Sequence, residues 1–291
     1  MAQLCFLGVG KMGLPMASHL LQAGHIVAVS DPSSERLALA QNAGLALADA
    51  GTLGQVDFVF SSLPHDAALL AVGEQVAQGA RPGAVYVDTS TVSLGASARV
   101  AELCQVRGVQ YLRTTVSGNN KMAEAAQLTV MASGPRDAFD AAQPLLSTWG
   151  HHRFYLGDAE QARLMKLVVN LLIAQTSAML AEGLSLGRKG GLDWQDMWQV
   201  LGASAVGSPI LKAKSVQLSQ RDFTPTFTVE QMIKDLDLIL GAAEAVHAPL
   251  MQTAMTRQLM HAAVAQGDAL DDYAAIIKAV ERSAGLPTDL D

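Results

Sequence analysis

From the N-terminus to about residue 157, short apolar runs rich in Val, Phe and Tyr alternate with stretches of helical spacing. The runs LCFLG, HIVAVSD, DFVFSSLP, GAVYVDTS, GVQYLR, QLTVMASG and HRFYLG have the length and composition of β-strands. Segments such as SSERLALAQNAG and LGASARVAELCQVRG lie between them and repeat their apolar positions as helices do. This alternation predicts βαβ units in an α/β fold, a doubly wound and mostly parallel sheet of Rossmann type.

After Gly157 the strand signal stops. The stretch from Ala159 to Gly191 has no proline, and about 28 helical residues there would extend roughly 40 Å. That length suits a spine joining two domains. Leu236, Ile239, Leu240, Ala243 and Val246 share one helical stripe, whereas Arg221 to Phe227, with Pro225, reads as a loop. The expected division is an α/β domain over 1–158 and an all-helical domain over 159–291, with 159–190 as the connecting helix.

Composition narrows the class. Half of the residues are hydrophobic and 16% are charged, which argues against disorder. The longest apolar stretch, near Leu164–Ala174, is interrupted by Lys166 and Asn170, so no membrane span is indicated. The N-terminus lacks the basic region and cleavage site of a signal peptide. Cys5 and Cys104 lack metal-like spacing and read as reduced, buried thiols of a cytoplasmic protein. A net charge of −7 argues against nucleic acid as a partner, but not against an anionic small molecule in a locally basic pocket.

The segment FLGVGKMGLPMASHLLQAG, residues 6–24, sets Gly8, Gly10 and Gly13 between a strand and a helix. Pro15 falls near the helix's first turn and Gly24 at its stop. The next strand ends at Asp31. Glycines here permit a tight turn and close approach of a pyrophosphate to the helix N-terminus, and a carboxylate at this distance accepts ribose hydroxyls. Candidate cofactor contacts are therefore Gly8, Val9, Gly10, Lys11, Met12, Gly13, Asp31 and Pro32. Because Asp31 would repel a 2′-phosphate and Pro32 rather than Arg follows it, NAD is favoured; Arg36 leaves NADP open.

Lys166 and Asn170 stand at i and i+4 and project from one face of the long helix, among Leu164, Met165, Leu167, Val168, Val169, Leu171 and Leu172. A charge in so apolar a setting needs a partner or a purpose. An ammonium there can stabilise an alkoxide and deliver its proton, with Asn170 orienting the amine or the substrate. The stretch TTVSGNN, residues 114–120, is expected on a loop after a strand. Ser117, Gly118 and Asn119 offer a hydroxyl and approachable N–H groups for a carboxylate, or form an ordinary turn. Asp272 reads as a helix N-cap. His151 and His152 point to opposite faces of a strand, so no metal site is expected.

Together these stretches resemble the β-hydroxyacid dehydrogenase family, which includes 3-hydroxyisobutyrate dehydrogenase, tartronate semialdehyde reductase and glyoxylate/succinic semialdehyde reductases. FLGVGKMGLPMASHLLQAGH looks like its cofactor signature, and TVSGN, MKLVVN, KDLDLIL and DDYAAIIKAVE follow in family order along nearly the whole chain. SSLP and VDTSTVS resemble the loops that pass the nicotinamide ribose, which implies Leu63, Pro64, Ser90 and Thr91 as cofactor contacts. The resemblance also implies Lys234 near the nicotinamide or substrate, Lys166 as catalytic residue, and a homodimer or homotetramer. Arg113-Thr114-Thr115 and Asn119 depart from the family pattern, and Lys121 adds a charge that is either solvated or aimed at a strongly anionic substrate. The expected reaction interconverts a small anionic β-hydroxy acid, or a phosphonate analogue, and its aldehyde or ketone by hydride transfer. An imine-reductase-like enzyme and a non-catalytic nucleotide-binding scaffold are the alternatives.

Overall fold

A computed structural model describes residues 1–289, which fall into two units that divide between Lys166 and Leu167. The boundary falls inside the long helix, later than the expected break after residue 158.

The first unit holds one eight-stranded sheet. Its strands are β1 (Gln3–Leu7), β2 (Ile26–Ser30), β3 (Ala46–Leu47), β4 (Phe58–Ser61), β5 (Val85–Asp88), β6 (Gln110–Ser117), β7 (Thr129–Ser133) and β8 (His152–Tyr155). Their order is β3-β2-β1-β4-β5-β6-β7-β8. All pairs are parallel except β6 with β7. Seven of these strands occupy the expected apolar runs; β3, of two residues, is too short to leave a periodic signal. Side chains alternate between the faces, so Leu4 and Phe6 enter one core while Cys5 and Leu7 enter the other. In the first core, Phe60 stacks on Phe6 at 5.8 Å and meets the edge of Trp149 at 5.5 Å. Burying each such ring contributes about 2–3 kcal/mol.

The chain leaves β3 and returns on the other side of β1 as β4, which makes the carboxyl ends of β1 and β4 the switch point where open α/β sheets bind ligands.

The spine helix runs over Gln161–Lys189. Its start is tied into the first unit: Thr115 Oγ1 donates to the Ala162 carbonyl at 2.9 Å, and the Ala162 N–H donates to Ser133 Oγ at 3.0 Å. Despite Lys166 and Asn170, it is long and apolar enough by length and composition alone to cross a membrane, with mean hydropathy 1.6 over its most apolar stretch, as core helices also can be. The helix also begins with a buried arginine hydrogen-bonded to sheet residues, as a core helix of a folded domain does. Leu167 is buried, but Leu164, Met165, Val168 and Leu172 are exposed, so apolar residues all round the helix do not bury it all round.

Among the described residues of the second unit every regular element is helical, including Trp194–Ala203, Val229–Ala245 and Met251–Ala265. Thr228 and Gln231 form a reciprocal capping box at the start of Val229–Ala245. Met232, Leu236, Ile239 and Ala243 bury its apolar face. Val246 lies past the helix end and is exposed, which shortens the expected stripe.

Candidate active site

The glycine loop follows β1. Gly8 has φ +89°, and a Cβ there would sit 2.4 Å from the Ser62 carbonyl oxygen. A Cβ on Gly13 would lie 1.9 Å from the Gly8 carbonyl oxygen, so this glycine sets the strand-to-helix contact. Gly10 differs: nothing lies within 4 Å of where its Cβ would be. The chain's own packing does not require glycine there, and the bare backbone leaves the space over the loop clear for a phosphate. The helix that follows, Gly13–Gln22, has no side-chain cap and no acidic residue in its first turn. Its N-terminal field is therefore not already neutralised by a carboxylate. Met12 and Gly13 sit at its start, while Lys11 is exposed.

Asp31 lies just past β2, at the same end of the sheet. Its Oδ2 accepts the Val9 N–H at 2.9 Å, and its Oδ1 accepts the Ser33 N–H at 2.9 Å. The carboxylate thus braces the glycine loop, and each oxygen keeps a lone pair for a further donor. Pro32 beside it is exposed.

Beneath the next two loops lies a buried polar network. Asp88, which ends β5, is fully buried, as is Ser61 at the end of β4. The Asp88 carboxylate accepts the hydroxyl protons of Ser61 and of Ser90, the latter at 2.6 Å. Ser90 Oγ in turn accepts the Leu63 N–H at 2.9 Å. Arg163, 1% exposed, donates to the Asp88 carboxylate and the Ser90 carbonyl, and to the Tyr111 hydroxyl at 2.7 Å. Burial opposes the charge on Arg163, but Tyr111 and Asp88 outweigh it and hold the guanidinium above the ordinary arginine value. Burial likewise raises the Tyr111 phenol, against the opposing pull of Arg163. Ser90 is buried and gives its proton to Asp88, so it shapes the loop from below; Thr91 is half-buried and Pro64 exposed.

The Ser117 stretch is more regular than expected, because β6 runs through Ser117 and the loop begins at Gly118. Gly118 has φ +135°, and a Cβ would meet Leu128 at 2.6 Å. Asn119 caps the short helix Asn120–Glu124, its Oδ1 accepting the Met122 N–H at 3.0 Å. Lys121 is exposed, in keeping with a solvated lysine. The departures upstream have structural partners: Arg113 donates to Glu160 at 2.7 Å, and Thr115 holds the start of the spine helix.

Lys166 is half-buried on that helix, one turn after Arg163. In the second unit, buried Asn170 donates to Asp235 Oδ2 at 2.6 Å. Lys234 Nζ lies 2.9 Å from Oδ1 of the same carboxylate. Lys234 is in the interior of Val229–Ala245, not in its first turn. Asp272 caps the turn Tyr273–Ala275 as expected and also binds Lys214 Nζ at 2.5 Å.

Sequence reasoning missed Asp88, Arg163 and Asp235. Each lies within three positions of a residue singled out, but their partners lie 65–75 positions away and leave no local pattern.

Comparison with known proteins assigns both halves of the chain. Residues 3–157 match the NAD-binding domain of 6-phosphogluconate dehydrogenase, and residues 161–280 match the NAD-binding family of NADP-dependent 3-hydroxyisobutyrate dehydrogenase. The chain is 33% identical over 287 residues to 2-(hydroxymethyl)glutarate dehydrogenase of Eubacterium barkeri, covering 97% of this chain and 95% of that one. It is 31% identical to the cytokine-like nuclear factor N-PAC of Homo sapiens over 94% of this chain and 50% of that protein. Among solved structures, Mycobacterium tuberculosis 3-hydroxyisobutyrate dehydrogenase with L-serine superposes with TM-score 0.87 at 28% identity, covering 96% of this chain and 98% of that one. With the cofactor loop, the sheet order and both domain matches in agreement, the chain belongs to the β-hydroxyacid dehydrogenase family.

Proposed function

We propose that this protein is an NAD(P)-dependent oxidoreductase in which Lys166 donates and accepts the proton as a small anionic β-hydroxy acid and its aldehyde or ketone interconvert. The observation that carries this reading is the placement of Lys166 one helical turn after Arg163, whose guanidinium holds the Ser90 carbonyl at the carboxyl end of β5. A bound nicotinamide dinucleotide supplies the hydride. Residues Gly8 to Gly13 would hold its pyrophosphate, Asp31 its adenosine ribose, and Leu63, Pro64 and Thr91 its nicotinamide end, with buried Ser90 supporting that loop from below. NAD is the preferred form, because the Asp31 carboxylate repels a 2′-phosphate.

Substrate anions would be held by the Ser117 hydroxyl and the backbone N–H groups of Gly118 and Asn119. Asn119 already uses its side-chain oxygen on a helix cap, and its amide nitrogen would be the side-chain donor offered to a ligand. Lys166 protonates the oxygen that becomes the alcohol and takes the proton back in oxidation. Asn170 and Lys234, held in one hydrogen-bonded group with Asp235, would be substrate- or cofactor-binding side chains. The exposed Met165, Val168, Leu172, Met179 and Leu186 form an apolar stripe along the spine helix, which supports a homo-oligomer. The buried, free thiols of Cys5 and Cys104 fit a reducing cytoplasm.

A second reading, a nucleotide-holding scaffold, draws on the likeness to a nuclear factor. One experiment separates the two: absorbance turnover with NADH and NADPH against carboxylate, dicarboxylate and phosphonate carbonyl compounds, for wild type and Lys166→Ala. The enzymatic reading expects wild-type turnover, a loss of about a hundredfold or more in Lys166→Ala, and unchanged cofactor binding. Cofactor binding without turnover across the panel favours the scaffold.

A further inference from the structure

We propose that Arg163 is a positioning residue for this site, tying the helix that carries Lys166 to the Asp88–Ser90 segment and, through it, to Leu63. The inference rests on the reading of Lys166 and the cofactor loops given above. Its geometry is a relay of direct contacts. Arg163 grips the Ser90 carbonyl with one nitrogen, and the Asp88 carboxylate and Tyr111 hydroxyl with another. Asp88 takes the Ser90 hydroxyl proton at 2.6 Å, and Ser90 Oγ receives the Leu63 N–H at 2.9 Å. Lys166 projects from the same helix face three residues on. A shift of the guanidinium therefore moves the proton-handling amine and both cofactor-side loops together.

Two features separate this role from general support of the fold. The first is chemical. A planar guanidinium reaches two acceptors on different residues with a fixed angle between them, which a single ammonium does not reproduce. The second is location. A buried ion pair confers little net stability over apolar packing of equal volume. This one is set at the carboxyl end of β5, and it bonds the backbone of the very segment assigned to the nicotinamide. Buried Glu281, paired with the half-buried Arg188 and Arg221, shows the contrasting case: those arginines also close on the carbonyls of Pro287 and Thr288, outside the loops assigned to the site.

The test is Arg163→Lys in the full chain, read by NADH affinity from nicotinamide fluorescence, by kcat and substrate KM, and by the pH profile of kcat. Positioning predicts a folded variant whose NADH Kd rises about tenfold and whose kcat falls about tenfold or more. Substrate KM should stay within about threefold, and the pH profile of kcat should move. Unfolding at lower temperature with Kd, kcat and profile all unchanged overturns the inference, since that is what a structural pair alone would give. Should Arg163→Lys fail to fold, Ser90→Ala cuts the same relay one link further on. Weaker NADH binding with a displaced profile in that variant supports the inference, and unchanged values overturn it. A wild-type chain that binds neither NADH nor NADPH sinks the cofactor reading and this inference with it; wild-type binding with unaffected variants overturns this inference alone.

Discussion

Asn170 donates its side-chain amide to the buried carboxylate of Asp235 at 2.6 Å, and Lys234 meets the other oxygen of that carboxylate at 2.9 Å. Asp235 is 1% exposed, and these neighbours offset the cost of taking its charge out of water. Asp235→Ala strands the Asn170 amide and removes the counter-ion of Lys234. The expected loss is about 1–3 kcal/mol, measured by urea unfolding with Trp194 and Trp198 of the same unit as reporters. A change inside about 0.5 kcal/mol would mean that water or a new partner replaces the carboxylate without loss.

The three loop glycines should respond differently to alanine. At Gly13 the new methyl would lie 1.9 Å from the Gly8 carbonyl oxygen, so Gly13→Ala must distort the turn and lower the melting temperature. Gly10→Ala meets nothing within 4 Å and should melt with wild type. If the clear space over Gly10 belongs to a pyrophosphate, its alanine variant still loses most of its affinity for NADH. Calorimetry and a fluorescence titration on the two variants decide the matter, and tight NADH binding by Gly10→Ala would remove that glycine from the cofactor site.

The contrast between those glycines shows how far the sequence could be read. Spacing alone placed Gly8, Gly10 and Gly13 in one turn, because strand, turn and helix signals are local. Strand runs such as DFVFSSLP were equally plain, and so was the uninterrupted helix after Gly157. The opposite holds for Arg113, which looked like a departure in a substrate loop and is instead the partner of Glu160, 47 positions on. Arg163 and Asp88 are 75 apart, and each looks like an ordinary polar residue in its own neighbourhood. Pairing across a sheet depends on strand order, and no periodicity encodes it. Side chains that support the site are thus the part of it least visible before the fold is known.

Alkaline pH should destabilise the first unit. Burial pushes the thiols of Cys5 and Cys104 up from the ordinary value of 9.0 to about 12, with Arg113 pulling slightly the other way on Cys104. Burial also raises the Tyr86 and Tyr111 phenols. Groups with a raised folded value release protons more readily from the unfolded chain. Their stabilisation is therefore complete below about pH 9 and is lost as pH rises toward about 12. Urea midpoints should be flat from pH 7 to 8.5 and fall beyond pH 9, less steeply in a Cys5→Ala/Cys104→Ala variant. The native thiols should also resist a thiol reagent at pH 8 until the chain is unfolded. Ready modification of the native chain would contradict their burial.

Asp31 gives the last prediction, because it carries two duties that one substitution can separate. Its oxygens accept the Val9 and Ser33 N–H groups, each at 2.9 Å, and its charge faces whatever binds beyond the loop. Asp31→Asn keeps one acceptor oxygen but removes the charge, so the loop should survive with a loss of about 1 kcal/mol. Repulsion between a carboxylate and a phosphate a few ångströms apart is worth about 1–4 kcal/mol at effective dielectric constants between water and a protein surface. Wild type should accordingly prefer NADH over NADPH by about tenfold or more in kcat/KM, and Asp31→Asn should narrow that ratio several-fold by improving NADPH. Arg36, on the helix that follows, is then free to attract the added phosphate, so Asp31→Asn/Arg36→Ala should give back part of the gain. A wild-type preference for NADPH would show instead that Asp31 serves only to brace Val9, and that the 2′-phosphate is held by groups further along that helix.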